Sequence, residues 1–173
     1  PSPGDEDSYF VLKCNMNAYQ KTIAGIIVIL VMIPIPGWSE SRDLIDQLGR
    51  RVKVPEQAIR VISLAPSVTE VVFELDQAHR LVGATRFSDY PEEAKHLPKI
   101  GSYVQLDLEK IVALKPDLCI AVKDGNPLKT IQRIEKFKIP VFAVDPRDLD
   151  AVMETMTEIG HLLHAEEKAT LLV

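Results

Sequence analysis

The sequence contains few of the residues that mark a disulfide scaffold or a nucleic-acid-binding surface. Its 173 residues include two cysteines, Cys14 and Cys119, which lie in segments that we assign below to different parts of the chain, so we expect no disulfide. Lysine and arginine number 20 against 25 aspartates and glutamates, and the two signs are interspersed. Because phosphate backbones are bound by clustered cations, this balance argues against a nucleic-acid partner.

Motifs of nucleophilic catalysis and nucleotide binding are also missing. None of the serines near predicted strand ends lies in a G-x-S-x-G turn, and no histidine follows a strand where it could act as a base. The glycines form no G-x-G-x-x-G or P-loop motif. His161 and His164 are three residues apart, but no cysteine or carboxylate of zinc-ligand spacing accompanies them. We therefore predict a protein that is not an enzyme, with no catalytic residue, no cofactor of its own and no metal site; an α/β enzyme is the remote alternative.

The apolar run near the N-terminus is too short to span a membrane. It covers residues 23–33, whereas a bilayer-spanning helix needs roughly twenty apolar residues. Lys21 precedes the run, and prolines and small residues follow it, which is the layout of a secretory signal peptide. We predict that residues 16–39 are a signal peptide, cleaved near Ser39 or Ser41.

The rest of the chain alternates strand and helix patterns, which is typical of an α/β fold with a doubly wound parallel sheet. A β-hairpin is predicted first, at residues 43–55. Apolar runs then predict buried strands at residues 61–64, 81–84, 99–101, 118–122 and 141–144. Helical spacing predicts helices at residues 108–114 and 128–137, the first of them capped by Asp107. Residues 1–15 show no such period and are expected to be a disordered or non-native leader.

A long final helix is expected from Leu149 onward. Its apolar stripe runs to Leu163, and Leu171-Leu172-Val173 then end the chain with no Gly, Asn or Pro stop signal. We expect the chain to be truncated within this helix, whose stripe would pack against a further part of the protein.

The turn after the first buried strand is the expected start of a binding site. Pro66 ends the strand, and Ser67 with Glu70 forms a Ser-x-x-Glu pattern, which predicts a capping box at the start of a helix. Such a turn lies at the carboxyl edge of a parallel sheet, where open α/β folds bind ligands. Pro66 and Ser67 are therefore predicted to form one wall of a ligand cleft.

Three further loops follow predicted strands and should lie at the same edge of the sheet. They carry three aromatic residues in a chain with only 6% aromatics, namely Phe87, Tyr90 and Tyr103. We predict flat apolar contacts to a ligand from these rings; the alternative is that one or two of them fill the end of the sheet. Polar contacts at the rim are predicted from Lys123, Asp124 and Asn126.

Several stretches together resemble one family, the helical-backbone metal-chelate receptors. These are the periplasmic substrate-binding proteins of ABC importers for cobalamin, haem and ferric siderophores. The matching stretches are residues 43–55, 60–70, 87–91 and 107–118. The string L-E-K-I-V-A-L-K-P-D-L at residues 108–118 is highly specific, and the resemblance covers the chain from about Asp43 to its end.

The resemblance implies a periplasmic, bilobed and monomeric receptor. Residues 40–147 would form its N-terminal ligand-binding lobe, and residues 148–173 would begin the helix that joins the two lobes. The partners implied are an ABC permease at the inner membrane and a small-molecule metal chelate. A corrinoid such as cobalamin is the favoured transported ligand, with haem or a ferric siderophore as alternatives.

Individual residues also take their roles from this resemblance. By position, Phe87 and Tyr103 match aromatic positions that face the corrinoid, and Glu109 matches the carboxylate that docks on arginines of the permease. One position departs from the pattern. Val122 stands where the cobalamin-binding members carry a large aromatic residue.

Overall fold

The computed structural model describes residues 40–173. The predicted leader and signal peptide therefore lie outside the described residues and stay predictions. Within residues 40–173, no helix has both the length and the apolar character needed to cross a bilayer.

A β-hairpin comes first, as predicted. Strand β1, Ser41–Ile45, pairs antiparallel with β2, Arg51–Pro55. Asp46 in the turn is buried and accepts hydrogen bonds from the backbone amides of Leu48 and Arg50. These bonds satisfy polar groups that the turn would otherwise leave unpaired.

The main sheet has four parallel strands, which confirms the predicted fold class. Its strands are β3, Val61–Ser63; β4, Leu81–Gly83; β5, Leu118–Val122; and β6, Val141–Val144. They are ordered β4-β3-β5-β6. The predicted strand at residues 99–101 was wrong in extent. Only a single parallel bridge joins Lys99 to Ala84, because the chain turns at Gly101.

Helices cover both faces of this sheet. They are α1, Pro66–Glu74; α2, Leu108–Ala113; α3, Leu128–Lys136; α4, Leu149–Leu163; and α5, Glu166–Leu172. Two short 3-10 helices, Ala78–Arg80 and Glu92–His96, lie in the connections. The predicted Asp107 cap of α2 is confirmed, since its side chain accepts from the amide of Lys110 at 3.1 Å.

Two hydrophobic cores lie on the two faces of the sheet. Alternate residues of β5 point to opposite faces, so Ile120 packs with α1 and α4 while Cys119 packs with α2 and α3. Both faces are covered, which explains why the strands are continuous apolar runs. Burial raises the pKa of the Cys119 thiol, and a buried thiol behaves as a small apolar side chain.

The predicted capping box at Ser67 was wrong. The N-cap residue of α1 is Ala65, no side chain caps the helix, and Pro66 takes its first turn. Proline suits that position because its fixed φ is helical and its missing N–H has no partner there in any case. Ser67 therefore lies inside the helix, where its hydroxyl cannot cap it.

The prediction of one helix reaching Val173 was also wrong. Helix α4 ends at Leu163, His164 adopts a left-handed conformation with φ 57°, and α5 begins two residues later. The two helices pack closely at Gly160, where an added Cβ would lie 2.6 Å from the Cβ of Ala169. The chain thus folds back on α4, and the role of residues 148–173 in joining two lobes stays a prediction.

Candidate functional site

The aromatic rings of Phe87 and Tyr103 lie together at the carboxyl edge of the sheet. Their ring centroids are 6.2 Å apart, with the planes at 62° in an edge-to-face arrangement. Phe87 is 50% exposed and Tyr103 is 39% exposed, so neither ring fills the end of the sheet. The guanidinium carbon of Arg86 lies 5.1 Å from the centroid of the Phe87 ring. This is an exposed apolar surface with one cation beside it.

The loop that carries Phe87 is tied to the sheet by four buried hydroxyl groups. Thr69 Oγ1 in α1 lies 2.9 Å from both Ser63 Oγ and Ser88 Oγ. Ser88 Oγ in turn lies 3.0 Å from Thr85 Oγ1. All four side chains are buried. The network therefore joins the end of β3, the first turn of α1 and the Phe87 loop.

Lys99 holds the same loop through hydrogen bonds to its backbone. Its Nζ donates to the carbonyls of Ser88 at 2.8 Å and Ala94 at 2.7 Å. Burial lowers the pKa of Lys99. Between these anchors, Tyr90 is exposed, and its peptide bond to Pro91 is cis.

Tyr103 lies in a tight turn between residues 101 and 106. The amides and carbonyls of Ser102 and Gln105 bond to each other at 3.0 and 3.2 Å. Gly101 has φ 101°, and an added Cβ would lie 2.4 Å from the carbonyl oxygen of Gln105. Only glycine fits there without displacing the turn.

Asn126 lies beneath the rim, which corrects the expected position on it. Its side chain is 7% exposed, and its amide bonds to three backbone groups of the lobe. Those bonds leave it no free donor for a ligand. These bonds do not test the predicted ligand contact of Asn126, which stays a prediction.

The remaining rim residues are charged. Lys123 Nζ lies 2.9 Å from Asp145 Oδ2, which also pairs with Arg147. The bonds from Arg147 and Lys123 lower the pKa of Asp145. Asp124 is exposed. Lys123 thus shares one carboxylate with Arg147.

Ser67 borders an apolar hollow. This hollow has a volume of about 300 Å³ and is lined mainly by valines, including Val122 and Val144. Pro66 is half-buried and Ser67 is exposed at the edge of the hollow. Their predicted contact with a ligand stays a prediction.

Glu109 lies in the first turn of α2 and is exposed. It borders a hollow of about 480 Å³ between α2 and α3, together with Arg133 and Phe137. A carboxylate at this position is accessible to a cationic partner.

Sequence reasoning missed three anchors of the site: Thr69, Thr85 and Lys99. Thr69 lies inside the Ser-x-x-Glu pattern that was interpreted as a capping box, and Thr85 and Lys99 lie beside apolar segments with no motif around them. Nothing in the local pattern distinguishes them from solvated polar residues, since their partners are set by the tertiary fold. Within residues 40–173, no group of three or more His, Cys, Asp or Glu side chains is placed to hold a metal ion.

The sequence from residue 61 to 173 matches the family model described as periplasmic binding protein. The chain belongs to this family, and the resemblance to the periplasmic metal-chelate receptors is confirmed.

Among curated relatives, the chain is similar to the vitamin B12-binding protein of Pectobacterium carotovorum subsp. carotovorum (strain PC1), with 37% identity over 115 residues, 64% of this chain and 42% of that protein. It is 34% identical over 139 residues to the vitamin B12-binding protein of Yersinia pseudotuberculosis serotype O:1b (strain IP 31758), which covers 80% of this chain and 50% of the relative. The chain therefore spans about half the length of the curated relatives it matches.

Solved structures of several periplasmic binding proteins are also similar to this chain. The periplasmic vitamin B12 binding protein of Vibrio cholerae matches with a TM-score of 0.57 and 30% identity, over 65% of this chain and 45% of that one. A periplasmic heme binding protein from Pseudomonas aeruginosa matches with a TM-score of 0.63 and 28% identity, over 66% and 41%. The molybdate periplasmic binding protein of Haemophilus influenzae has a TM-score of 0.69 at 20% identity, over 76% and 49%, which shows the shared fold alone.

Proposed function

We propose that this chain is the corrinoid-binding lobe of a periplasmic receptor that delivers cobalamin to an ABC importer. The observation that carries the proposal is the exposed pair of rings, Phe87 and Tyr103, at the carboxyl edge of the sheet. Support also comes from the relatives above 30% identity, which are named for vitamin B12 binding.

The rings suit a ligand with a broad apolar face. Apolar contact with aromatic side chains is a strong source of binding free energy, and two rings on separate loops cover more of a macrocycle than one. Because both loops are anchored to the sheet, little ordering entropy is lost when the ligand binds. The lobe thus provides a preformed surface for one side of the ligand.

The charges at the rim favour a corrinoid over the alternatives. A ferric siderophore or the propionates of haem would need cations to neutralise their anionic groups. The loops around the rings offer Arg86, Lys123 and Arg147, and the last two share the carboxylate of Asp145. Haem or a ferric siderophore is therefore the second candidate, supported by the heme-binding structural neighbour at 28% identity.

Delivery would depend on docking at the membrane, and we assign that role to Glu109. Its exposed carboxylate can pair with arginines of the permease. In a receptor that carries this lobe, Glu109→Lys should reduce cobalamin uptake and leave cobalamin affinity unchanged. A loss of affinity would contradict this role.

Binding of cyanocobalamin, measured by calorimetry, tests the proposed ligand. Removing either ring, in Phe87→Ala or Tyr103→Ala, should weaken binding by roughly tenfold. Phe137→Ala is the matched control, because Phe137 is a 55% exposed aromatic residue directly after the end of α3. The proposal is wrong if the ring variants behave like this control, or if haemin binds and cyanocobalamin does not.

A further inference from the structure

The buried side chain of Asn126 makes three hydrogen bonds to backbone groups from three parts of the lobe. Its Nδ2 donates to the carbonyl of Leu64 at 2.9 Å and to that of Tyr103 at 2.7 Å. Its Oδ1 accepts from the amide of Val122 at 2.8 Å. Both donors of the amide and one of the two acceptor positions of Oδ1 are therefore used.

These three partners come from the segments that form the candidate site. Leu64 follows β3, Val122 ends β5, and Tyr103 lies in the turn that carries the second exposed ring. The partners are distant in sequence, with Leu64 62 residues and Tyr103 23 residues from Asn126. Asn126 is thus the point at which the Tyr103 turn is attached to the end of the sheet.

The residue before Asn126 adds to this attachment. A Cβ at Gly125 would lie 3.3 Å from Tyr103 Cδ2, so the ring packs against the backbone of residue 125. The carbonyl of Tyr103 is held by Asn126 while its ring rests on Gly125. Both the position and the direction of the ring are therefore set by the loop after β5.

We propose that Asn126 is a positioning residue that acts on ligand affinity through Tyr103, instead of contacting the ligand at the rim. The proposal deepens the proposed function and rests on it for the ligand contact of Tyr103. Holding the ring in its bound orientation before the ligand arrives lowers the entropy lost on binding.

Asn126→Asp is the informative variant because it alters one part of the attachment. The carboxylate keeps an acceptor for the Val122 amide but has no donor for the carbonyls of Leu64 and Tyr103. Thr155→Val is the matched control. Thr155 is 3% exposed, and its hydroxyl donates to Gln47 Oε1 at 3.1 Å, far along the chain from the rings.

The first measurement needs no ligand. The nuclear Overhauser effect between the Phe87 and Tyr103 rings, whose centroids are 6.2 Å apart, reports their relative position. We expect Asn126→Asp to weaken it at least twofold and Thr155→Val to leave it unchanged, with both variants less stable to heat. An unchanged effect in Asn126→Asp would overturn the proposal and leave Asn126 a structural residue.

The second measurement is a double-mutant cycle on cyanocobalamin affinity. Asn126→Asp should weaken binding by roughly five- to tenfold in the wild type and should have no further effect in Tyr103→Ala. An equal loss in both backgrounds would overturn the proposal, since Asn126 would then act without Tyr103. If Tyr103→Ala alone leaves affinity unchanged, the ligand contact of the proposed function is wrong, and the ring measurement still decides the positioning.

Discussion

Thr69 Oγ1 lies 2.9 Å from Ser88 Oγ, and this contact joins α1 to the loop that carries Phe87. The two residues are 19 positions apart in the sequence. Their contact is buried, so water cannot replace it if either hydroxyl is removed.

Thr69→Val should therefore lower the free energy of unfolding by about 1 to 3 kcal/mol, because Ser63 and Ser88 lose a buried partner. Urea unfolding measures this change. The control is Thr157→Val, at an exposed helix position where the hydroxyl bonds to the carbonyl of Met153 at 3.0 Å. Equal losses in the two variants would contradict the importance of the buried network.

Gly101→Ala should destabilise the Tyr103 turn through a backbone clash. The added Cβ would meet the Gln105 carbonyl at 2.4 Å, in addition to the cost of a left-handed φ of 101°. Gly49→Ala is the control, because Gly49 has φ 73° but no atom within 4 Å of its added Cβ. Thermal unfolding should show a loss of about 1 kcal/mol for Gly49→Ala and a larger one for Gly101→Ala. Similar losses of stability in the two variants would show that the Tyr103 turn can shift to accommodate the added methyl group, which would contradict the predicted clash.

Glu158→Gln should stabilise the protein at pH 7. One carboxylate oxygen of Glu158 is buried without a hydrogen-bond partner. Burial, with Glu154 and Asp46 nearby, raises the pKa of Glu158 above its ordinary 4.5. The folded state therefore disfavours the ionised form, and the substitution should gain about 0.5 kcal/mol after allowance for solvent screening.

The pH dependence of this gain has a definite sign. Because the pKa of Glu158 is higher in the folded protein, the penalty is fully present above that raised pKa and disappears below about 4.5. Denaturant unfolding of the wild type and of Glu158→Gln at pH 7 and near pH 4 checks this pH dependence, since the greater stability of the variant should vanish at the lower pH. An advantage that grows on acidification would contradict the assignment.

Lys99→Met should loosen the Phe87 loop. The substitution removes both bonds from Nζ, to the carbonyls of Ser88 and Ala94, and keeps much of the apolar stem. We expect faster amide exchange in residues 88–94 and weaker binding of cyanocobalamin by a few fold. Lys95→Met is the control, because Lys95 is exposed and pairs only with the exposed Glu92 among the described residues. Equal exchange rates in the two variants would contradict the role of Lys99 in holding the Phe87 loop.

Local patterns predicted the strands and several loops well. The runs at 118–122 and 141–144 are β5 and β6 to the residue, since a strand covered on both faces reads as a continuous apolar run. The loop carrying Phe87 was also predicted at the correct edge, by the rule that parallel strands end at one edge of the sheet. The Tyr103 loop lies at that edge too, although the strand predicted before it is only a bridge between Lys99 and Ala84.

The errors have tertiary causes. The break after Leu163 depends on close packing at Gly160, and His164 is not a residue that signals a left-handed turn by itself. The burial of Asn126 depends on a carbonyl 62 residues away. At the start of α1, Ser67 predicted a cap at residue 67, whereas Pro66 is also favoured in the first turn of a helix. The helix begins at Pro66, so Ser67 lies inside it.

The turn of the hairpin also covers the outer edge of the main sheet. β6 is the last strand of the sheet, and an open edge strand offers unpaired backbone groups to another chain. Here both backbone groups of Ala143 are occupied, its carbonyl by the Gln47 amide and its N–H by the Asp46 carboxylate, while Arg50 donates to the Val141 carbonyl. The outer edge of β6 is thus covered by polar groups of its own chain, so it offers few free backbone groups to a strand of another molecule.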